Sequence, residues 1–129
     1  MAYEIPVLTP GIFTAGEDLS SKQYYFVKQS GQTVIACTGA TDIPIGVLQN
    51  APTSGQAAEV MSIGISKVNS DAALSVGALI GTSADGQADA KTPGTDTTEY
   101  VVGRVIGASG AAGGYATAMI NCASPARAA

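Results

Sequence analysis

IPIGVLQNAPTSGQAAEVMSIGISKV, from Ile43 to Val68, is the stretch whose reading decides the fold. It reads as two strands joined by an uncharged turn. In the second strand Met61, Ile63 and Ile65 fall on one face and Ser62, Gly64 and Ser66 on the other. That period of two belongs to a strand with one buried side, and the apolar face is the one expected to be buried. The first strand repeats the pattern more briefly, with Ile45 and Val47 opposed to Gly46 and Leu48. Between them Asn50, Pro52, Ser54 and Gly55 supply turn chemistry. Proline presets φ, glycine permits positive φ, and Asn and Ser side chains bond their own backbone. The stretch predicts a β-protein built from small residues, and it carries no pattern of an active site.

Moving outward, Tyr24 to Lys28 and Thr33 to Thr38 read as strands of a hairpin around Ser30-Gly31. Tyr24 and Phe26 share one face and Tyr25 and Val27 the other, so the first of these strands is apolar on both sides. Such an aromatic stripe is expected in a core. Downstream, Asn69 to Leu74 has room for one helical turn with Ser70 or Asp71 as its N-cap. Leu79 to Thr82 is a short strand, and Asp85-Gly86 is a turn signal after it. Gln87 to Thr98, QADAKTPGTDTT, reads as a polar, exposed excursion. The last strands, Tyr100 to Ile106 and Tyr115 to Asn121, flank the flexible loop GASGAAGG.

The counts predict an all-β domain, a compact antiparallel barrel or sandwich of about seven or eight short strands with at most one short helix. Three parts are expected: an extended N-terminal arm over 1–20, one β-domain over 21–122, and a frayed tail over 123–129. Pro6 and Pro10 make a central strand unsuitable near the start. Ile5, Val7, Leu8, Ile12 and Phe13 are nonetheless apolar there and need a surface to cover them. An arm laid on a neighbouring surface fits both facts; an edge strand on the chain's own domain also fits, because edges tolerate proline.

Composition narrows the function classes. The chain has 129 residues, matching one domain. Charged residues make up 12%, about half of the ~25% usual in soluble domains. No stretch approaches the ~18 apolar residues of a membrane helix. The surface is therefore expected to be rich in Thr, Ser, Gln and Gly and partly covered by partners. Net charge is −4 and the six basic residues are scattered, which argues against direct nucleic-acid binding. MAYEIPV has neither the basic nor the long apolar region of a signal peptide, so cytoplasmic synthesis is the expectation. The two cysteines, Cys37 and Cys122, are too few for a disulfide framework or zinc site and read as small packed residues.

Motifs for chemistry are missing. Without histidine, imidazole bases, His ligands and His-based triads are excluded. No G-x-S-x-G, Walker lysine or C-x-x-C occurs, and the spacing of Gly107, Gly110 and Gly113 is not that of a dinucleotide loop. Asp85 and Asp89 miss calcium-loop spacing and read as turn residues. No catalytic residue, cofactor or metal is expected.

From about Ala15 to Gln87 the chain resembles the small cement, or decoration, proteins of tailed-bacteriophage capsids. The resemblance rests on the hairpin IGVLQNAPTSGQAAEVMSIGISKV and on VGALIGTSADG at Val76 to Gly86. Ala78 stands after Gly77 where many of these proteins have an acidic residue. The resemblance implies a β-rich homotrimer on the outside of the virion that binds the major capsid protein and bridges neighbouring capsomers. The five apolar arm residues would then be the capsid or inter-subunit contacts. A phage tail or fibre structural module is the alternative; a sugar-binding surface domain is disfavoured by the absence of Trp and the small number of aromatics, and nothing in the sequence points to a hydrolase.

Overall fold

The computed structural model describes residues 12–129. Five strands close into a small barrel: β1 (Ile12–Ala15), β2 (Phe26–Ser30), β3 (Thr33–Ala36), β4 (Gly46–Leu48) and β5 (Ala57–Met61). Their order is β1-β3-β2-β4-β5, and β1 closes the ring by pairing antiparallel with β5 and parallel with β3. The all-β expectation holds, and no helix forms among the described residues. The β2–β3 hairpin turns at Gly31, whose φ is 62°. With Ser30 opposite Thr33, that is the glycine-first pattern of a two-residue II′ turn.

A second layer packs on the barrel. It contains β6 (Ile63–Asn69), β7 (Leu79–Thr82), β8 (Ala88–Ala90), β10 (Gly103–Gly107) and β11 (Tyr115–Asn121), ordered β6-β11-β10-β7-β8. A two-stranded ribbon of β9 (Tyr100–Val101) and β12 (Ala126–Arg127) completes the fold. The described residues thus hold twelve short strands rather than about eight. The additions are β1 in the expected arm, β12 in the expected tail and β8 at the start of the polar excursion. A break at Ser62 divides the expected second strand of 43–68 into β5 and β6, and another divides the strand expected over Tyr100 to Ile106. That strand is interrupted at Val102, whose amide donates to the Ile80 carbonyl at 2.9 Å.

Two cores result. Inside the barrel lie Ala15, Leu19, Val27, Val34, Leu48 and Val60. Between barrel and sheet lie Phe26, Val47, Val68, Ile80, Val105 and Ile120, among others. Adjacent residues of one strand, Phe26 and Val27, therefore feed different cores, which explains why β2 is apolar on both faces. Cys37 and Cys122 are buried and unbridged in the core between the layers.

Three local expectations change. The buried face of β6 is Gly64, Ser66 and Val68, continued from Ser62 just before it, while Ile63 and Ile65 are half-exposed. Small residues let the barrel approach closely, and their hydroxyls find partners there. Ser62 Oγ donates to the Ile45 carbonyl at 2.6 Å, and Ser66 Oγ accepts from Gln49 Nε2 at 3.0 Å. Satisfied hydroxyls cost little to bury. Second, the helical turn expected at Asn69 to Leu74 is absent. The Ser70 amide donates to the Gly114 carbonyl, and Leu74 exchanges amide–carbonyl bonds with Ser109; these long-range bonds displace local ones. Third, Ala126–Arg127, within the segment expected to fray, pairs with Tyr100–Val101, and Ala128 is buried.

The expected N-terminal arm also divides. Ile12–Ala15 is barrel wall, and Leu19 is fully buried in the barrel core. Ile5, Val7 and Leu8 lie outside the described residues.

Gly81 marks the closest approach of the ribbon to the sheet. A Cβ there would run into the Tyr100 carbonyl and sit 3.0 Å from Lys91 Cε. Gly81→Ala should therefore destabilise the protein by about 1–3 kcal/mol through overpacking. Urea unfolding followed by circular dichroism measures it, with Gly55→Ala as a positive-φ control that has no neighbour within 4 Å.

Candidate functional site

The described residues contain no constellation for catalysis. No group of three or more His, Cys, Asp or Glu side chains stands together among them as a metal site. The carboxylates are absorbed by structure. Asp42 accepts from Lys28 Nζ at 2.9 Å and from the Thr38 and Gly39 amides at 2.9 and 3.0 Å, fixing its own loop. Burial raises its pKa, but these bonds outweigh burial and hold it below the ordinary value. Asp85 accepts a short bond from Ser83 Oγ beside Gly86, whose φ is 89°; both belong to turn chemistry. Asp89 and Glu99 accept from Lys91 Nζ, which is fully buried and also donates to the Thr82 carbonyl at 2.8 Å. Lys91 ties the polar excursion to β7.

What remains is a surface. The outward sides of β6, β11, β10 and β7 are brought together by register: Ile65 opposite Met119, Met119 opposite Arg104, and Arg104 opposite Leu79. Met119, Arg104 and Leu79, with Ile63 at one end and Val101 and Ala126 of the ribbon along one flank, line a groove of about 530 Å³; Ile65 lies outside it. Met119 is 52% exposed, and Arg104 stands exposed at the rim. Among the described residues Arg104 has no ion-pair partner. The groove is therefore apolar-floored with one unpaired cation, a lining that suits an extended apolar segment better than a small polar substrate.

A second exposed feature lies at the other end of β11. Tyr115 and Tyr24 meet edge to face at 5.7 Å, and Lys67 Nζ stands 5.7 Å from the Tyr24 ring. Tyr24 has a φ of 67°, unusual for a bulky residue. Its amide donates to the Leu48 carbonyl at 2.7 Å and its carbonyl accepts from the Asn69 amide at 3.0 Å. The strained residue thus fastens the barrel to the sheet.

Of the five contact residues expected from sequence, Ile12 pairs through its backbone with Glu59, and Phe13 packs half-buried on the barrel core. Ile5, Val7 and Leu8 fall outside the described residues. The groove residues escaped the sequence reading. Alternation is plain in 61–65, but the apolar face there was the one expected inside.

The fold defined here is a small all-β module of a closed five-stranded barrel with a five-stranded sheet packed on it. It is similar to the head fibre gp8.5 N base of bacteriophage phi29 with a TM-score of 0.65 and 18% identity. The likeness covers 91% of this chain and 96% of that one. No protein-family model matches the chain, and no curated protein matches it by sequence.

Burial pushes the Cys37 and Cys122 thiols up to about 12 from an ordinary 9.0. A thiolate is the reactive form, so neither cysteine should react with a thiol reagent at pH 8 until the protein unfolds. Because the folded values lie above the unfolded ones, the stabilisation is complete below pH about 9 and is lost as pH rises towards 12. Thermal melts across that window should fall, and Cys37→Ala/Cys122→Ala should flatten the fall.

Proposed function

We propose that this chain is a structural protein of a tailed-bacteriophage head, attached to the outer surface of the major capsid shell. The observation that carries the reading is the fold likeness to a head fibre base, which spans nearly the whole of both chains. That likeness supports a fibre-type module seated on the head more directly than a cement protein. The cement reading, in which a homotrimer bridges neighbouring capsomers, rests on the resemblance of Ala15 to Gln87. Both readings place the protein on the virion after synthesis in the host cytoplasm, without an enzymatic role.

Three features support an interaction module. Charge is low, and charged residues are depleted in interface cores. The sheet's outer face leaves Ile63, Ile65 and Met119 at least partly exposed, beside Lys67, Thr117 and Arg104. Ile5, Val7 and Leu8 supply apolar side chains at the N-terminus, each worth about 1.5–3 kcal/mol if fully buried in a partner. Ile12 and Phe13, at the barrel's edge, would be the inner limit of that contact.

Purified chain mixed with heads that lack it should co-sediment and appear by cryo-electron microscopy as density on the outer shell. Density confined to tails, or none, would overturn head attachment. Separate projections would favour the fibre module, and a flat plug between capsomers the cement protein. Replacing Ile5, Val7 and Leu8 together by Ser should weaken attachment at least tenfold while the barrel keeps its circular dichroism. Light scattering of the free protein should give about three times the 12.8 kDa chain mass; a monomer would restrict trimer formation to the shell.

A further inference from the structure

We infer that in the protein free of the shell the groove on the sheet's outer face is occupied by the chain's own N-terminal segment, residues 1–11. Four observations converge on this. The first is the direction in which β1 enters the barrel. Ile12 lies opposite Glu59, Phe13 opposite Ala58 and Thr14 opposite Ala57. Ile12, where the described chain begins, therefore lies two residues from Met61, the end of β5. One residue, Ser62, separates β5 from β6, so Ile12 stands near the corner where the chain passes from barrel into sheet.

The second is the position of the groove at that same corner. Ile63, the first residue of β6, lines it, as does Asn121, which pairs with Ile63. The Cys122 amide donates to the Ser62 carbonyl at 2.8 Å, holding the groove's ribbon side against the corner. Eleven residues extend up to about 36 Å, more than enough to turn this edge and run along the groove.

The third is chemical fit. Tyr3, Ile5 and Val7 alternate with Glu4, Pro6 and Leu8, so an extended segment turns one apolar side to a surface. The groove lies on the face of a sheet, where backbone partners are not offered, so the donors lost at Pro6 and Pro10 cost nothing. Proline-containing extended segments suit apolar grooves because little conformational entropy remains to be lost. A volume of about 530 Å³ falls within the ~300–1,000 Å³ of ordinary binding sites. The fourth is charge. Glu4 is the one charged side chain of the segment, and Arg104 at the groove's rim has no ion-pair partner among the described residues.

The seat uses Ile5 and Val7, the side chains offered above to the shell. Attachment would draw them from the groove of the same molecule rather than from water.

The test is disulfide trapping in the full chain carrying Val7→Cys and Met119→Cys, with diamide as the added oxidant. Diamide takes up two electrons and two protons as the two thiols join. The native cysteines are buried and stay silent. The expected product is an intramolecular disulfide, seen as a monomer of altered mobility on non-reducing gels and as loss of both accessible thiols. Disulfide-linked dimers or larger rings would place a second copy's segment in the groove and overturn the proposal. So would reaction no faster than that of a Val7→Cys/Thr53→Cys control, whose second thiol lies in the β4–β5 turn. Arg104→Glu should slow trapping about two- to fivefold, the worth of an exposed ion pair, and adding Glu4→Arg should restore it. Trapping is read without heads, so its failure leaves head attachment untouched, and the co-sedimentation result leaves the groove untouched.

Discussion

Alternate side chains of β2 and β4 enter two different cores, and the rest of the structure is arranged around that division. Phe26 and Val47 are paired across the strands and point into the space between barrel and sheet. Val27 and Leu48 point into the barrel. All four are fully buried, which contributes roughly 6–12 kcal/mol as an upper bound. That sum is comparable with the whole net stability of a domain. A two-sided strand of this kind cannot stand at a surface. It obliges the chain to supply covers on both sides, the barrel wall on one and the five-stranded sheet on the other.

The cover must also come close. Ser62 just before β6, Gly64 and Ser66 on β6, and Ala116 and Ala118 on β11 form much of its inner surface, and their small size sets a short spacing between the layers. Serine hydroxyls at such a contact need partners, and the Ile45 carbonyl and Gln49 amide provide them. No buried side-chain polar atom of the described residues lacks a partner. Lys91 follows the same logic at the far edge. A buried ammonium is tolerated because the Thr82 carbonyl, Asp89 and Glu99 surround it, and the desolvation cost is offset only while all of them stay in place. The network fastens a long polar segment to the sheet without a large apolar side chain.

Packing small residues inward leaves larger ones outward, and this connects the core to function. Ile63, Ile65 and Met119 are on the outer face because the inner one has no room for them. The likeness to a head fibre base is one of fold, and the groove is a feature of the sheet's outer face.

Much of the architecture was legible in the sequence by itself. Period-two alternation and turn residues at Ser30-Gly31, Asn50 to Gly55 and Asp85-Gly86 placed the main strands, since those signals are local. The missing histidines and scattered charges removed whole classes of chemistry for equally local reasons. Tertiary structure alone decided which face of each strand is inside. Alternation reports that two faces differ, but on β6 spacing between layers outweighed hydropathy and buried the serines and glycine. It also decided that Asn69 to Leu74 is extended, that Ala126–Arg127 pairs with Tyr100–Val101, and that the groove exists at all. Each of these depends on hydrogen bonds or contacts between residues far apart in the chain, which no local pattern encodes.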